Sequence, residues 1–246
     1  MSSLSGKIAF VTGGSRGIGA AIAKRLAKDG AAVALTYANA PDKADAVVKE
    51  IKAAGGDAIA LKAEASDAKA VKAAIDEAAK RFGRIDILVN NAGIAVMAPI
   101  DEFKDEDFDR IVAVNIKAVY AGVKAALAHM GEGGRIITIG SVNSDSMPFV
   151  GGAVYAMSKA AVAGLTRGLA RDLGARGITV NNVQPGPIHT DMNPSDGPFA
   201  AMLKPVLAIK RYGHVDEVAS LVAFVASPEA GYITGAGLKV DGGFDA

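Results

Sequence analysis

The sequence predicts an α/β fold, a doubly wound, seven-stranded parallel sheet with helices on both faces, with residues 1–246 forming a single domain. Three observations predict it. Short, almost continuously apolar runs alternate with longer stretches whose apolar residues recur at helical spacing. The apolar runs lack the in–out alternation of a half-exposed sheet, so helices must cover both faces. A glycine-rich turn, Thr12-Gly13-Gly14-Ser15-Arg16-Gly17-Ile18-Gly19, follows the first apolar run directly.

The elements follow in order. Ile8–Val11 reads as a strand, and Ile18, Ile22 and Leu26 mark one face of the helix after it. Val33–Leu35 is the second strand, and a helix over 41–54 carries Val47, Val48 and Ile51 on its stripe. Ala58–Leu61 is the third strand, with Val71, Ile75, Ala79 and Phe82 lining the next helix. Ile85–Val89 is the fourth strand, followed by a long helix over about 105–129. Arg135–Ile139 is the fifth strand, a helix covers about 153–175, and Ile178–Val183 is the sixth strand. Pro185 to Pro205 reads as a loop over the sheet's carboxyl edge, and within it residues 191–205, with three prolines and one glycine, as a candidate closing lid. Val215–Ala226 is the last helix and Gly237–Val240 the last strand. Right-handed crossovers between such strands give the doubly wound arrangement.

Composition narrows the function. Lys plus Arg total 27 against 26 Asp plus Glu, a net charge of +1, which leaves no electrostatic footprint for nucleic acid or an anionic membrane. The chain has no cysteine, so disulfides, thiolate zinc sites and cysteine nucleophiles are excluded. Met1 to Lys7 lacks the basic and apolar regions of a signal peptide, and no apolar run approaches the roughly 20 residues that span a bilayer, so a cytoplasmic location is expected. His129, His189 and His214 are too scattered to suggest a metal site, and none is expected.

The glycine-rich turn is suited to a dinucleotide. Glycines let the backbone approach a pyrophosphate, and the free N–H groups of the helix behind it attract the phosphates. Its spacing, Gly13-x3-Gly17-x-Gly19, differs from the commoner G-x-G-x-x-G of Rossmann-like sites. After the second strand the chain reads Leu35-Thr36-Tyr37-Ala38-Asn39, with no acid before Asp42. An acid there would hold a ribose 2′-hydroxyl and repel a 2′-phosphate. Its absence, together with the Arg16 guanidinium and the hydrogen-bonding side chains of Tyr37 and Asn39, favours NADP(H) over NAD(H).

Catalytic chemistry is suggested by Tyr155-Ala156-Met157-Ser158-Lys159, which opens a helix. Residues four apart share a face, so Tyr155 and Lys159 point into one cleft. A free phenol titrates near 10, and bringing it close to neutrality takes about 4 kcal/mol, which a nearby ammonium helps to supply. Ile139-Gly140-Ser141, Asn90-Asn91-Ala92-Gly93 and Pro185-Gly186-Pro187-Ile188-His189-Thr190 each follow a strand and so converge on the same carboxyl edge, where ligands bind in such sheets.

With these motifs, from about Gly6 to Gly243, the chain resembles the short-chain dehydrogenase/reductase family, most of all the bacterial 3-oxoacyl-carrier-protein reductases. The stretch from Ser141 to Pro198 also resembles a biofilm-dispersal branch that binds a cyclic dinucleotide. The resemblance implies hydride transfer between NADP(H) and a ketone or secondary alcohol, with Tyr155 donating or accepting the proton. It implies that Lys159 holds the nicotinamide ribose and lowers the tyrosine pKa, that Ser141 hydrogen-bonds the substrate oxygen, and that Asn115 anchors a water in the proton relay. Gly13, Ser15, Arg16, Gly17, Ile18 and Gly19 would surround the phosphates, and Glu64 and Ala65 would lie near the adenine. Asn91, Ala92 and Gly93 would line the adenosine side, and Pro185, Gly186, Ile188 and Thr190 the carboxamide end. A homotetramer paired through the two long helices is implied as well.

Two departures stand out. Glu64 occupies a place where the family more often has Asp or Asn, and Ser141 and Tyr155 are 14 positions apart where 13 is common. The extra residue falls in the loop Val142 to Gly152, which with Met97, Met147, Phe149, Val150, Met192 and Phe199 is expected to border an apolar substrate pocket. The competing function is a non-catalytic or bifunctional sensor of a cyclic dinucleotide on the same fold.

Overall fold

In the computed structural model, which describes residues 3–246, the sheet has seven strands in the order β3-β2-β1-β4-β5-β6-β7. These are β1 (Ile8–Val11), β2 (Ala32–Tyr37), β3 (Ala58–Lys62), β4 (Ile87–Asn90), β5 (Arg135–Ile139), β6 (Thr179–Pro185) and β7 (Gly237–Val240). Every pair is parallel. The order reverses between β1 and β4, and a crevice opens beyond the carboxyl ends of the strands at that switch point.

Helices cover both faces because the strands bury both. Helices α1 (Gly17–Lys28) and α2 (Pro41–Ala53) and the late helix α8 (Val215–Ala226) lie over one layer, whose core includes Ile22, Leu26, Leu35, Val89 and Val222. Helix α3 (Ala68–Phe82) and the later α5 (Ala118–Ala126) and α6 (Ala153–Gly174) bury the other, around Phe10, Ile75, Leu88, Ile136 and Leu173. Local chemistry agrees with each boundary. Asp67 caps α3 by accepting from the amides of Lys69 and Ala70, and Gly83 ends it in the left-handed conformation at φ 93°. A capping box between His214 and Glu217 starts α8.

Two expectations need correction. The long helix over about 105–129 is not continuous. It runs as α4 (Asp105–Ile111), a π-helical turn at Val112–Lys117, and α5. A π turn inserts an extra residue per turn and re-aims one side chain, here carrying Asn115. Pro185 to Pro205 is not all loop either, because Pro198–Leu203 forms the short helix α7 and a 3-10 turn follows at Lys204–Val206.

Candidate active site

One cleft of about 580 Å³ runs along the carboxyl edge, and all of the expected cofactor residues line it: Gly13, Ser15, Arg16, Gly17, Ile18, Gly19, Tyr37, Asn39, Glu64, Ala65, Asn91, Ala92, Gly93, Tyr155, Lys159, Pro185, Gly186, Ile188 and Thr190. The glycine turn is held by hydrogen bonds with two residues, Thr36 and Asn91. Gly13 donates to Thr36 Oγ1 at 3.1 Å, and Gly14 to the Thr36 carbonyl at 2.8 Å. Asn91 Nδ2 donates to the carbonyls of Thr12 at 2.9 Å and Gly13 at 3.0 Å. Asn91 is therefore a staple of the turn as well as a wall of the cleft.

The turn fits a phosphate group. Helix α1 has no side-chain cap and no acid in its first turn, so its amides and dipole face the cleft unopposed. A Cβ on Gly19 would lie 2.3 Å from the Gly13 carbonyl oxygen and 2.4 Å from Asn91 Nδ2, so only glycine lets helix and turn come this close. Arg16 adds a cation at the same end.

The reacting end is built by β4, β5, α6 and the segment after β6. Ser141, Tyr155 and Lys159 share the cleft wall. Lys159 is buried and donates through Nζ to the Ile139 carbonyl at 3.0 Å. Burial lowers its pKa from 10.5 to about 8. The same desolvation pushes the half-buried Tyr155 phenol above its ordinary value, and a hydrogen bond with Ser141 partly offsets that rise. The ammonium lies 5.7 Å from the ring centroid and is committed to Ile139, so within the chain itself desolvation of the phenol dominates.

Asn115 is also placed differently from expectation. It is buried behind the cleft and does not line it. Its amide exchanges two 2.9 Å bonds with the backbone of Ile94 and donates to Ser158 Oγ at 3.0 Å. Ser158 in turn donates to the Tyr155 carbonyl at 2.7 Å. The side chain thus braces the first turn of α6 against the turn after β4, with both amide hydrogens spent in doing so. Ser141 remains the hydroxyl of the site, since Ser144 points away to Gln184, 2.6 Å distant. Of the apolar loop residues, Met192 lines the cleft and Val142 is buried. Met97, Val150 and Phe199 are exposed and do not line it. His129 pairs with Asp76 at 2.8 Å, His189 accepts from the Ser195 amide at 3.0 Å, and His214 caps α8.

Sequence reasoning missed Lys43 and Asp191, which line the cleft beside Arg16. Asp191 Oδ2 lies 3.2 Å from Lys43 Nζ and 3.9 Å from Arg16 Nη1. The signal for Lys43 was its place in the first turn of the helix after β2, which faces the same edge.

Known proteins of this shape carry the same arrangement of elements. The family model for enoyl-(acyl carrier protein) reductase matches residues 13–245. A short-chain dehydrogenase from Burkholderia cenocepacia J2315, solved in complex with NADP, is 53% identical, with a TM-score of 0.98 over 99% of this chain and 100% of that one. The chain belongs to the short-chain dehydrogenase/reductase family. It is also similar to the Staphylococcus aureus 3-oxoacyl-(acyl-carrier-protein) reductase, at 44% identity over 96% of this chain and 97% of that protein. The cyclic-di-GMP-binding biofilm dispersal mediator protein of Escherichia coli K12 is 47% identical over the full length of both. Membership makes the chain an oxidoreductase of this family. Among the described residues no helix is long and apolar enough to cross a membrane.

Proposed function

We propose that the chain is an NADPH-dependent reductase of a ketone with an apolar substituent, also able to run the reverse oxidation of a secondary alcohol. The observation that carries the reading is the meeting of Ser141, Tyr155 and Lys159 at one end of a cleft whose other end is an uncapped helix N-terminus beside Arg16 and Lys43. NADP-bound relatives and the 3-oxoacyl reductases support the same chemistry.

When bound, the cofactor supplies the hydride that reaches the carbonyl carbon. The residues of the chain do the rest. The α1 amides, Arg16 and Lys43 would hold the cofactor's phosphates. Pro185, Gly186, Ile188 and Thr190 bound the far end. Ser141 donates a hydrogen bond to the substrate oxygen. Tyr155 gives its proton to that oxygen as the alcohol forms. Lys159 orients sugar hydroxyls and supplies positive charge beside the resulting phenolate. Asn115 keeps the turn of helix that carries both residues in place.

The test is NADPH oxidation with a panel of ketones. Tyr155→Phe is expected to lower kcat by about a thousandfold, in the usual range for loss of a general acid, while NADPH binding measured by fluorescence stays within about twofold. Equal turnover by wild type and Tyr155→Phe rejects the assignment. A second reading, a cyclic-dinucleotide sensor, is favoured by the full-length similarity to the Escherichia coli dispersal protein. Displacement of NADPH by cyclic di-GMP, with no turnover of any ketone by wild type, would support it over catalysis. A homotetramer is part of the proposal. Phe108, Tyr120 and Met157, on α4, α5 and α6, present exposed apolar side chains suited to pairing, and a solution mass equal to one 24.9 kDa chain would refute it.

A further inference from the structure

Two segments adjoin residues that line the reacting end of the cleft. The loop 142–152 follows catalytic Ser141, and the stretch 191–207, containing α7, follows Thr190. The last residues of the chain touch both. Phe244 packs beside Ala200, Leu207 and Tyr212, a small cluster separate from the two cores on the sheet faces. Its ring also lies 6.2 Å from that of Phe149, tilted by 38°, a favourable aromatic geometry. Around it the backbone is tied down. Ile209 donates to the Gly242 carbonyl at 2.9 Å. Asp241 accepts from the amides of Gly243 at 3.0 Å and Asp245 at 3.1 Å, folding the tail into a compact turn. Lys239 reaches Asp145 at 3.6 Å and Asp245 at 2.5 Å, joining tail to loop. Gln184 holds Ser144 at 2.6 Å, and Ser144 donates to the Ser141 carbonyl at 2.9 Å. Gly186, at the nicotinamide end, lies so close to the tail that a Cβ there would be 2.7 Å from Asp241 Cα.

We propose that Phe244 is a positioning residue that sets substrate size selectivity: it acts as a strut between the 142–152 loop and the α7 segment and so fixes the width of the opening between them. The inference rests on the reading of this cleft as a ketone reductase site. Phe244 does not line the cleft, so it acts through Phe149 on one side and through Leu207 and Ala200 on the other. Its removal separates the two walls. A bulky ketone that needs both walls loses contact, whereas a small one held by Ser141 and Tyr155 alone does not. The cofactor would lie along the residues after β1 and β4, which Phe244 does not contact.

The experiment compares wild type, Phe244→Ala and Phe244→Leu with 4-phenyl-2-butanone as the bulky ketone and 2,3-butanedione as the small one. For Phe244→Ala the KM for the bulky ketone is expected to rise about tenfold, the size of an aromatic contact plus its burial. Its kcat, the KM for the small ketone and the Kd for NADPH are expected to stay within about twofold. Phe244→Leu, which keeps an apolar side chain of similar reach, is expected to recover most of the loss. Equal losses on both ketones, or a matching rise in the Kd for NADPH, overturn the proposal. Hydrogen exchange in the presence of NADPH reads the strut without turnover. Phe244→Ala is expected to speed exchange in 142–152 and 198–207 together, and Phe244→Leu to slow it again. Faster exchange in only one segment, or in neither, overturns the strut even where wild type reduces neither ketone, a result that would count against the ketone-reductase reading alone.

Discussion

The two ends of the cleft are built by opposite means. At the phosphate end, backbone meets backbone: Gly13, Gly14 and Gly19 sit against Thr36, Leu35 and Asn91 with no room for a side chain. At the substrate end, side chains meet across gaps, with Phe149, Phe244 and Met192 on segments outside the helices and strands. A pyrophosphate has one shape, so a rigid cradle made of main chain serves every turnover. A substrate varies among relatives, so its walls are loops that can change without disturbing the sheet. The contrast teaches where substitution is tolerated, and it can be broken from either side.

The largest effect is expected at the rigid end. Gly19→Ala would put a methyl carbon 2.3 Å from the Gly13 carbonyl oxygen, and both neighbours are fixed by Asn91. Overpacking of this kind should cost about 3 kcal/mol and abolish measurable NADPH binding. Chemical denaturation and fluorescence titration check the two parts. A variant that keeps wild-type stability and affinity would mean that the cradle is softer than its contacts imply.

At the reacting end sits Lys159, where function opposes stability. The fall from 10.5 to about 8 corresponds to a desolvation cost of about 3 kcal/mol at neutral pH. Lys159→Met removes the buried charge but leaves the Ile139 carbonyl without its donor, a loss of about 1 kcal/mol. The unliganded variant is therefore expected to be about 2 kcal/mol more stable at pH 7 while losing reductase activity. The sign with pH follows from proton counting. Between about 8 and 10.5 the unfolded chain holds a proton that the folded lysine has lost, so wild type gains stability as pH rises through that window. The advantage of Lys159→Met should shrink there. Over the same rise past about pH 8, wild-type kcat/KM for NADPH, which reports the free enzyme, should fall as the ammonium is lost. An advantage that is constant across pH would show that the lysine is not the source.

The sequence made the rigid end legible almost residue by residue, because glycines after a strand have few other uses and the parallel order follows from apolar runs and helical stripes. Tyr155 and Lys159 were legible for a similar reason, a fixed four-residue offset on a helix. What stayed hidden depends on tertiary detail. Val112–Lys117 has the apolar stripe of an ordinary helix, and nothing in its composition announces a π turn. The spending of the Asn115 amide on Ile94 and Ser158, the burial that raises the Tyr155 pKa, and the reach of Phe244 to Phe149 all depend on partners far away in the chain.

The smallest expected effect is at the rim where the two ends join. Asp191 begins the 191–207 segment, yet its carboxylate lies against Lys43 and Arg16, the cations of the rigid side. Side-chain exposures of 64% for Asp191, 56% for Lys43 and 62% for Arg16 keep each pair weak, in the range of about 0.2–1 kcal/mol. A 2′-phosphate carries close to two negative charges and would displace the single carboxylate from this pair. Asp191→Asn removes the competitor and is expected to tighten NADPH about two- to fivefold, leaving NADH within error. Lys43→Ala is expected to weaken NADPH by a similar factor. Both changes should fade at about 1 M salt, where the screening length is about 3 Å. Should Asp191→Asn tighten NADH as much as NADPH, the carboxylate would be acting on the shape of the 191–207 segment and not as a rival to the phosphate.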